Sequence, residues 1–195
     1  MQINLRIGIW NANGLPNHTR EIEIFMHSHH IDVFLISETH FTNKTYFKIK
    51  GYDVISCNHP DNKAHAGSAI LVKSSLKYVL LDNYQKPQIQ AAGIQIKCDN
   101  SNVSICSIYI PPKHKVTCED FESFFKKLGP KFIVGGDYNA KHQWWGSRLA
   151  NPKGKELYKC VMKNKYSVLS TGRPTYWPSD PRKIPDLLDY IVYGG

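Results

Sequence analysis

Short apolar runs, rich in β-branched residues, recur along the chain, and most stop at a polar residue or a turn. Residues 3–10 alternate and predict a strand. Residues 19–29 predict a helix, with Thr19 as N-cap and Ile22, Phe25 and Met26 on one face. The Val-Phe-Leu-Ile run within 32–37 predicts a buried strand. Strands are also predicted at 51–56, 67–72, 76–81 and 89–97. A turn at Asp99-Asn100-Ser101-Asn102 leads into a strand over 103–110. Thr117 is placed to cap a helix reaching about Leu128, with Phe121, Phe124, Phe125 and Leu128 as its core stripe. A strand at 131–135, a helix at 152–164 with Pro152 near its start, and strands at 166–170 and 187–193 complete the set. Strands outnumber helices, and many follow one another with no helix between. That pattern predicts a mixed or antiparallel sheet system with helices outside, not a doubly wound parallel sheet.

Several of these runs end on a residue able to carry chemistry. Asn11 follows Ile9-Trp10, Glu38 follows Leu35-Ile36-Ser37, and Tyr109 sits between Ile108 and Ile110. Asp137 and Asn139 follow Gly135-Gly136, and Asp189 follows Leu187-Leu188. They span nearly the whole chain, so only a folded sheet gathers them. Gathered, they supply three carboxylates, two carboxamides and a phenol. Such an oxygen-rich set suits a hard divalent cation, with neutral donors left over for a phosphate.

Each residue also has an ordinary reading. Glu38 alone is better explained by a strand-end acid facing solvent. Asn13 reads as a turn residue beside Gly14. Tyr109, pointing away from the face of its isoleucine neighbours, fits a core tyrosine. Asp189 fits an N-cap or a supporting acid. Gly-Asp-Tyr-Asn at 136–139 is more specific: residues two apart in extended chain share a face, so Asp137 can orient or deprotonate a water while Asn139 donates to a phosphate oxygen. Trp144 and Trp145, beside Lys141 and Arg148, either pack or stack on bases. His142 reads as structural rather than as a general base. The segment 176–185, pinned by prolines and carrying Arg182 and Lys183, is either a linker or a nucleic-acid contact.

Composition narrows the partners. The 195 residues suffice for one domain with a real core, and the net charge of +9 attracts polyanions or keeps the surface solvated. No amphipathic basic helix favours a lipid surface, and no apolar run reaches the roughly 18 residues of a membrane span. Cys57, Cys98, Cys106, Cys118 and Cys160 show neither paired nor zinc-site spacing, as expected of reduced thiols in an intracellular protein. Met1 to Arg6 read as the start of a strand, not as a signal peptide.

Taken in order, the motifs resemble the endonuclease/exonuclease/phosphatase superfamily, and within it the endonuclease domains of jockey-like non-long-terminal-repeat retrotransposons. Trp10-Asn-Ala-Asn-Gly-Leu15, Ser37-Glu-Thr-His40, the run 135–142, Trp145-Gly-Ser147 and Asn151-Pro-Lys-Gly154 carry the resemblance. It implies a four-layer α/β sandwich, two mixed sheets face to face with helices outside, and an active site at one end. It implies Mg²⁺, with Mn²⁺ as a substitute, held by Glu38 with Asn11 and Asp189 nearby. Asp137 would then position the attacking water, Asn139 would bind the scissile phosphate, and Tyr109 would contact phosphate or the leaving oxygen. Thr175 matches a phosphate-contacting threonine, and the loop 176–188, with Arg182 and Lys183, matches a hairpin that enters the DNA minor groove.

The same resemblance implies double-stranded DNA as substrate, element RNA as a partner through a downstream reverse transcriptase, and a nuclear site of action. Pro112 and Asn13 depart from the apurinic-endonuclease pattern, which leaves a repair endonuclease as the alternative enzyme. The family closes with Ser-Asp-His, a triplet that residues 1–195 do not contain. The expectation is therefore a single domain short of its C-terminal strand, either a fragment of a polyprotein or a catalytically impaired DNA-binding module. The net charge and the lack of a membrane element argue against a phosphoinositide or sphingomyelin phosphatase.

Overall fold

Two mixed β-sheets face each other in the computed structural model, which describes residues 4–98 and 101–195. The first sheet holds β1 (Ile7–Asn11), β2 (Val33–Ser37), β3 (Tyr52–Cys57) and β4 (Ser68–Lys73) in the order β1-β2-β4-β3. The second holds β5 (Val79–Leu80), β6 (Tyr84–Lys86), β7 (Ile89–Cys98), β8 (Ser101–Tyr109), β9 (Phe132–Asp137), β10 (Ser167–Leu169) and β11 (Asp189–Gly194). Its order is β10-β11-β9-β8-β7-β5, with β6 also on β7. Pairs β1/β2 and β8/β9 are parallel and the others antiparallel, so both sheets are mixed as expected.

The period of two along the strands separates the layers. In β2, Val33 and Leu35 face the second sheet and pack with Ile70, Val72, Ile94, Ile96 and Ile105. Phe34 and Ile36 face the other way, onto α1 (Thr19–Ser28) through Ile22 and Met26. In the second sheet, Phe132 and Val134 turn outward onto α2 (Cys118–Lys126) and α3 (Pro152–Asn164), meeting Phe121, Phe125, Leu157 and Val161. The result is helix, sheet, sheet, helices: the four-layer sandwich.

Local signals explain most element ends. Thr117 and Asp120 form a full capping box for α2, and the Asn151 side chain caps α3 with Pro152 in its first turn. Other expectations need correction. Thr19 does not cap α1; its hydroxyl donates to the Pro16 carbonyl, because a 3₁₀ turn at Leu15–His18 winds directly into the helix. Phe25 is 43% exposed rather than core, although its ring stacks on Phe34. The strand expected over 76–81 shrinks to Val79–Leu80, and Tyr84–Lys86, not expected as a strand, also pairs with β7. Of the strand expected over 3–10, residues 4–6 are not in a strand and β1 starts at Ile7, while residue 3 lies outside the described residues. Of the turn expected at 99–102, Asp99 and Asn100 lie outside the described residues.

Candidate active site

One end of the sandwich gathers the strand-end polar residues. In the second sheet, Tyr109, Asp137 and Asp189 are direct register partners on neighbouring strands, so they form a row on one face. In the first sheet, Asn11 pairs with Ser37, and Glu38 follows immediately. The sheets are stitched together at this level. Ser37 Oγ accepts from the Asp137 backbone N–H at 2.9 Å and donates to the Ile108 carbonyl at 2.9 Å, and Ser107 Oγ donates to the Ile36 carbonyl at 2.8 Å. Gly136 makes this approach feasible: a Cβ there would lie 2.0 Å from the Ile108 oxygen, and its φ of 149° disfavours any side chain.

The carboxylates then meet across the sheets. Asn11 Nδ2 donates to Glu38 Oε1 and to Asp137 Oδ2, both at 2.9 Å, while its Oδ1 accepts from the Asn13 amide at 3.0 Å. Asp137 Oδ1 accepts from the Asn139 amide at 2.8 Å. Glu38 and Asn139, each one or two residues past a strand, sit in the left-handed region with φ of 53° and 46°. Such backbone costs on the order of 1–3 kcal/mol and aims the side chain where a strand would not. His40 Nε2 lies 3.5 Å from Glu38 Oε2. Thr175 Oγ1 accepts from the amides of Leu188 and Asp189, both at 3.0 Å, so it holds the start of β11 in place.

Electrostatics follow from this crowding. Burial, then the neighbouring Asp189 and Glu38 charges, push the Asp137 carboxyl well above its ordinary range, against the pull of the Asn139 and Asn11 donors. Burial raises the Asp189 carboxyl to about 6; Thr175 opposes this and Glu38 adds to it. Burial and the Glu38 and Asp137 charges raise the Tyr109 phenol, which therefore stays protonated as a donor. Asp189 Oδ1 is buried without a hydrogen-bond partner. An orphaned carboxylate oxygen beside two further acids is a donor set that fits a hard divalent cation. Glu38, Asp137 and Asp189 are not, among the described residues, a triplet whose ligand atoms all lie within 4.8 Å of one another, and waters would complete a coordination sphere there.

Several supporting residues carried no sequence signal beyond their place in a motif. Asn151 caps α3 and also ties down the chain after Asn139: its Oδ1 accepts from Lys141 N and Gly154 N, and its Nδ2 donates to the Asn139 carbonyl. Gly154 permits this, since a Cβ there would lie 1.8 Å from the Lys141 oxygen. Lys153 is buried, donates to the Pro111 carbonyl at 2.7 Å, and is lowered to about 8 by burial against the opposing pull of Asp137. Burial pushes Asp186 up, but the Lys141 ammonium and the amides of Arg148 and Leu187 outweigh it and hold the carboxyl below its usual range.

The loop after Thr175 has a hairpin base. Tyr176 and Asp186 form an antiparallel bridge, with Tyr176 N donating to Asp186 O at 3.0 Å and the reverse bond at 3.1 Å. Beyond it, Trp177, Arg182, Lys183 and Ile184 are exposed. Arg182 is forked onto Asp180 through two contacts of 3.0 Å, so part of its charge is already matched. His142 is structural, stacked on Tyr158 at 4.3 Å and accepting from Trp144 N. Trp145 packs in the core and bonds the Ala140 carbonyl, whereas Trp144 is exposed. None of the five cysteines is bonded to another, and no helix among the described residues is long and apolar enough to cross a membrane.

Comparison with known proteins agrees with this geometry. The model of the endonuclease/exonuclease/phosphatase family matches residues 8–195. The chain is 38% identical over 194 residues to the RNA-directed DNA polymerase from mobile element jockey of Drosophila melanogaster, and 35% identical to its counterpart in Drosophila funebris. In both, the match covers 100% of this chain and 21% of the relative, so the chain spans about a fifth of these proteins. Among solved structures, the endonuclease domain of TRAS1, a telomere-specific non-LTR retrotransposon, superposes with a TM-score of 0.80 at 22% identity, over 98% of this chain and 85% of that one. The apurinic endonuclease of Leishmania major follows the same fold, with a TM-score of 0.73 at 15% identity over 96% of this chain and 78% of that one. The resemblance carried by the motifs is borne out, and the chain belongs to the endonuclease/exonuclease/phosphatase family.

Proposed function

We propose that this chain is the metal-dependent DNA endonuclease domain of a jockey-like retrotransposon polyprotein, nicking target DNA in the nucleus to expose a 3′-hydroxyl for reverse transcription. The observation that carries this is the row Tyr109, Asp137 and Asp189 facing Asn11 and Glu38 across the two sheets. The similarity to jockey proteins, named as RNA-directed DNA polymerases, supports the retrotransposon setting.

Glu38 and Asp189 would hold Mg²⁺, or Mn²⁺ in its place, with Asn11 orienting Glu38 and Asp137 through its amide. When bound, the cation offsets charge developing on the phosphate and on the leaving oxygen. Asp137, oriented at both oxygens by Asn11 and Asn139, takes the proton of the attacking water. Asn139 Nδ2 spends one hydrogen on the Ile110 carbonyl at 3.2 Å, and its second is available to a phosphate oxygen. Tyr109, kept neutral, donates to the phosphate or the leaving oxygen. Thr175 anchors β11 and would contact phosphate, and the loop 176–188, with Arg182 and Lys183, would contact the duplex. Element RNA enters through a reverse transcriptase elsewhere in the polyprotein.

The test is nicking of supercoiled plasmid by this chain and by one extended through a Ser-Asp-His triplet. Loss of a general acid/base costs on the order of 10²–10⁴-fold, so the extended chain should cut faster by about that factor. Equal rates would remove the need for the histidine, and no nicking by either would overturn the endonuclease. Faster cutting at an abasic site than in intact duplex would favour a repair enzyme.

A further inference from the structure

Among the described residues, the one set of three His, Cys, Asp or Glu side chains with ligand atoms all within 4.8 Å of one another is His59, Asp61 and His65. It lies in the loop between β3 and β4, on residues distinct from the carboxylate site. His59 Nδ1 stands 2.8 Å from Asp61 Oδ1, and His65 Nε2 stands 2.8 Å from Asp61 Oδ2, with the two imidazole centroids 4.4 Å apart. Hence two nitrogens and a carboxylate converge from a His-x-Asp-x-x-x-His spacing.

Three features make this arrangement more than surface crowding. The loop is held in shape: Asn43 N donates to Asn62 Oδ1 at 2.7 Å, Asn58 Nδ2 to Asn43 Oδ1 at 3.2 Å, and Asp61 Oδ1 is oriented by the Lys63 amide at 3.0 Å. Asn62, between Asp61 and His65, adopts the left-handed region with φ of 56°, so the backbone turns within the span that carries the three side chains. His59 Nδ1 also faces two groups of opposite demand. It is the acceptor for the Asp61 amide at 3.4 Å and lies against the Asp61 carboxylate at 2.8 Å. Protonated, it cannot accept from the amide; deprotonated, its lone pair faces an anion. A cation between the nitrogen and the carboxylate gives both a common partner.

We propose that His59, Asp61 and His65 form a second metal site, selective for a borderline transition ion of the Zn²⁺ class over Mg²⁺. Two imidazoles and one carboxylate are donors that such ions prefer, whereas Mg²⁺ prefers oxygen alone. Tetrahedral bonds of about 2.0–2.2 Å place donors roughly 3.3 Å apart, so the side chains open by about half an ångström and water takes the fourth position. The bound ion clasps a loop whose far end runs alongside the residues after Glu38, where His40 N donates to Ala66 O at 2.9 Å and Thr39 N to Gly67 O at 3.4 Å.

The test titrates Zn²⁺ by calorimetry, and Co²⁺ by its visible absorption, into the 195-residue chain with millimolar Mg²⁺ present throughout. One equivalent of Zn²⁺ should bind, with Co²⁺ giving a low-coordinate spectrum. His65→Ala, at an exposed position, and Asp61→Asn, which keeps its shape, should each weaken binding by at least about tenfold. Glu38→Gln should leave the event unchanged. Wild-type Zn²⁺ affinity in both His65→Ala and Asp61→Asn would overturn the proposal. So would loss of binding in Glu38→Gln, which would place the ion among the carboxylates, or the absence of any Zn²⁺ uptake by the unaltered chain.

Discussion

The Asp137 backbone N–H donates to the Ser37 hydroxyl at 2.9 Å, and this bond fixes the distance between the two halves of the site. Ser37 and Asp137 are 100 residues apart, lie on different sheets and are both buried. Ser37→Ala leaves a buried N–H without its acceptor and the Ile108 carbonyl without that donor, a cost of about 1–3 kcal/mol. Chemical denaturation should register this, and nicking should fall as Asp137 loosens. Ser107→Ala, which removes a bond to the Ile36 carbonyl only, should lower stability with a smaller effect on cutting. Equal effects on cutting would mean that Ser37 is merely structural.

Glu38→Gln tests the metal role. Glutamine keeps the size of the side chain and can still accept from Asn11 Nδ2. Circular dichroism and melting temperature should therefore stay near those of the unaltered chain, while Mg²⁺ or Mn²⁺ affinity and nicking should fall. Titration calorimetry showing unchanged binding of these ions would count against Glu38 as a ligand.

Asp189 predicts an unusual pH dependence in metal-free chain. Its folded carboxyl titrates near 6, above the roughly 3.9 expected when unfolded. Between those values the folded state holds more protons, so this group's stabilisation is complete below about pH 4 and is lost as pH rises through about 6. Melting temperature measured in EDTA should decline over that window. Asp189→Asn should flatten this component, and saturating Mg²⁺ should reverse it by favouring the ionised form. A slope identical in Asp189→Asn would assign the effect to other groups.

The loop 176–188 should choose where DNA is cut, while Asp137 and its neighbours decide whether it is cut. Both loop ends are fixed at the site, through Thr175 to Leu188 and Asp189, and through Asp186 to Lys141. Prolines 178, 181 and 185 limit the entropy lost on ordering the exposed tip. Replacing residues 177–185 with a Gly-Ser linker in a chain extended through Ser-Asp-His should keep nicking measurable and broaden the cleavage map on sequencing gels. Arg182→Ala alone should have a modest effect, because Asp180 already engages that guanidinium. An unaltered map after loop replacement would make the loop a connector.

Much of the fold is legible in the chain because its causes are local. A helix with its own cap, such as Thr117 with Asp120 or Asn151 with Pro152, announces itself within four residues. A strand buried on both faces, such as Val33–Ser37, reads as an unbroken apolar run. The candidate site residues were legible for a related reason: a polar group that ends such a run sits at a sheet edge whatever the sheet's partners are. Elements without a strong period were misread. The 3₁₀ turn before α1 took the cap position from Thr19, and Tyr84–Lys86 became a strand only because β7 offered it an edge.

What tertiary structure alone decided is which edges meet. Nothing near Ser37 in sequence indicates that its hydroxyl will serve Asp137 and Ile108, and nothing near Asp189 indicates that its register partner is Asp137. The raised carboxyls of Asp137 and Asp189 arise from burial and from charges brought together across the two sheets. The His59, Asp61 and His65 cluster lies between these extremes. Its spacing is short enough to see in the chain, but the three side chains converge only in the folded loop, where Asn62 takes the left-handed region between Asp61 and His65. Chain-local chemistry writes propensity and periodicity, whereas distance, desolvation and mutual charge exist only once the sheets have closed.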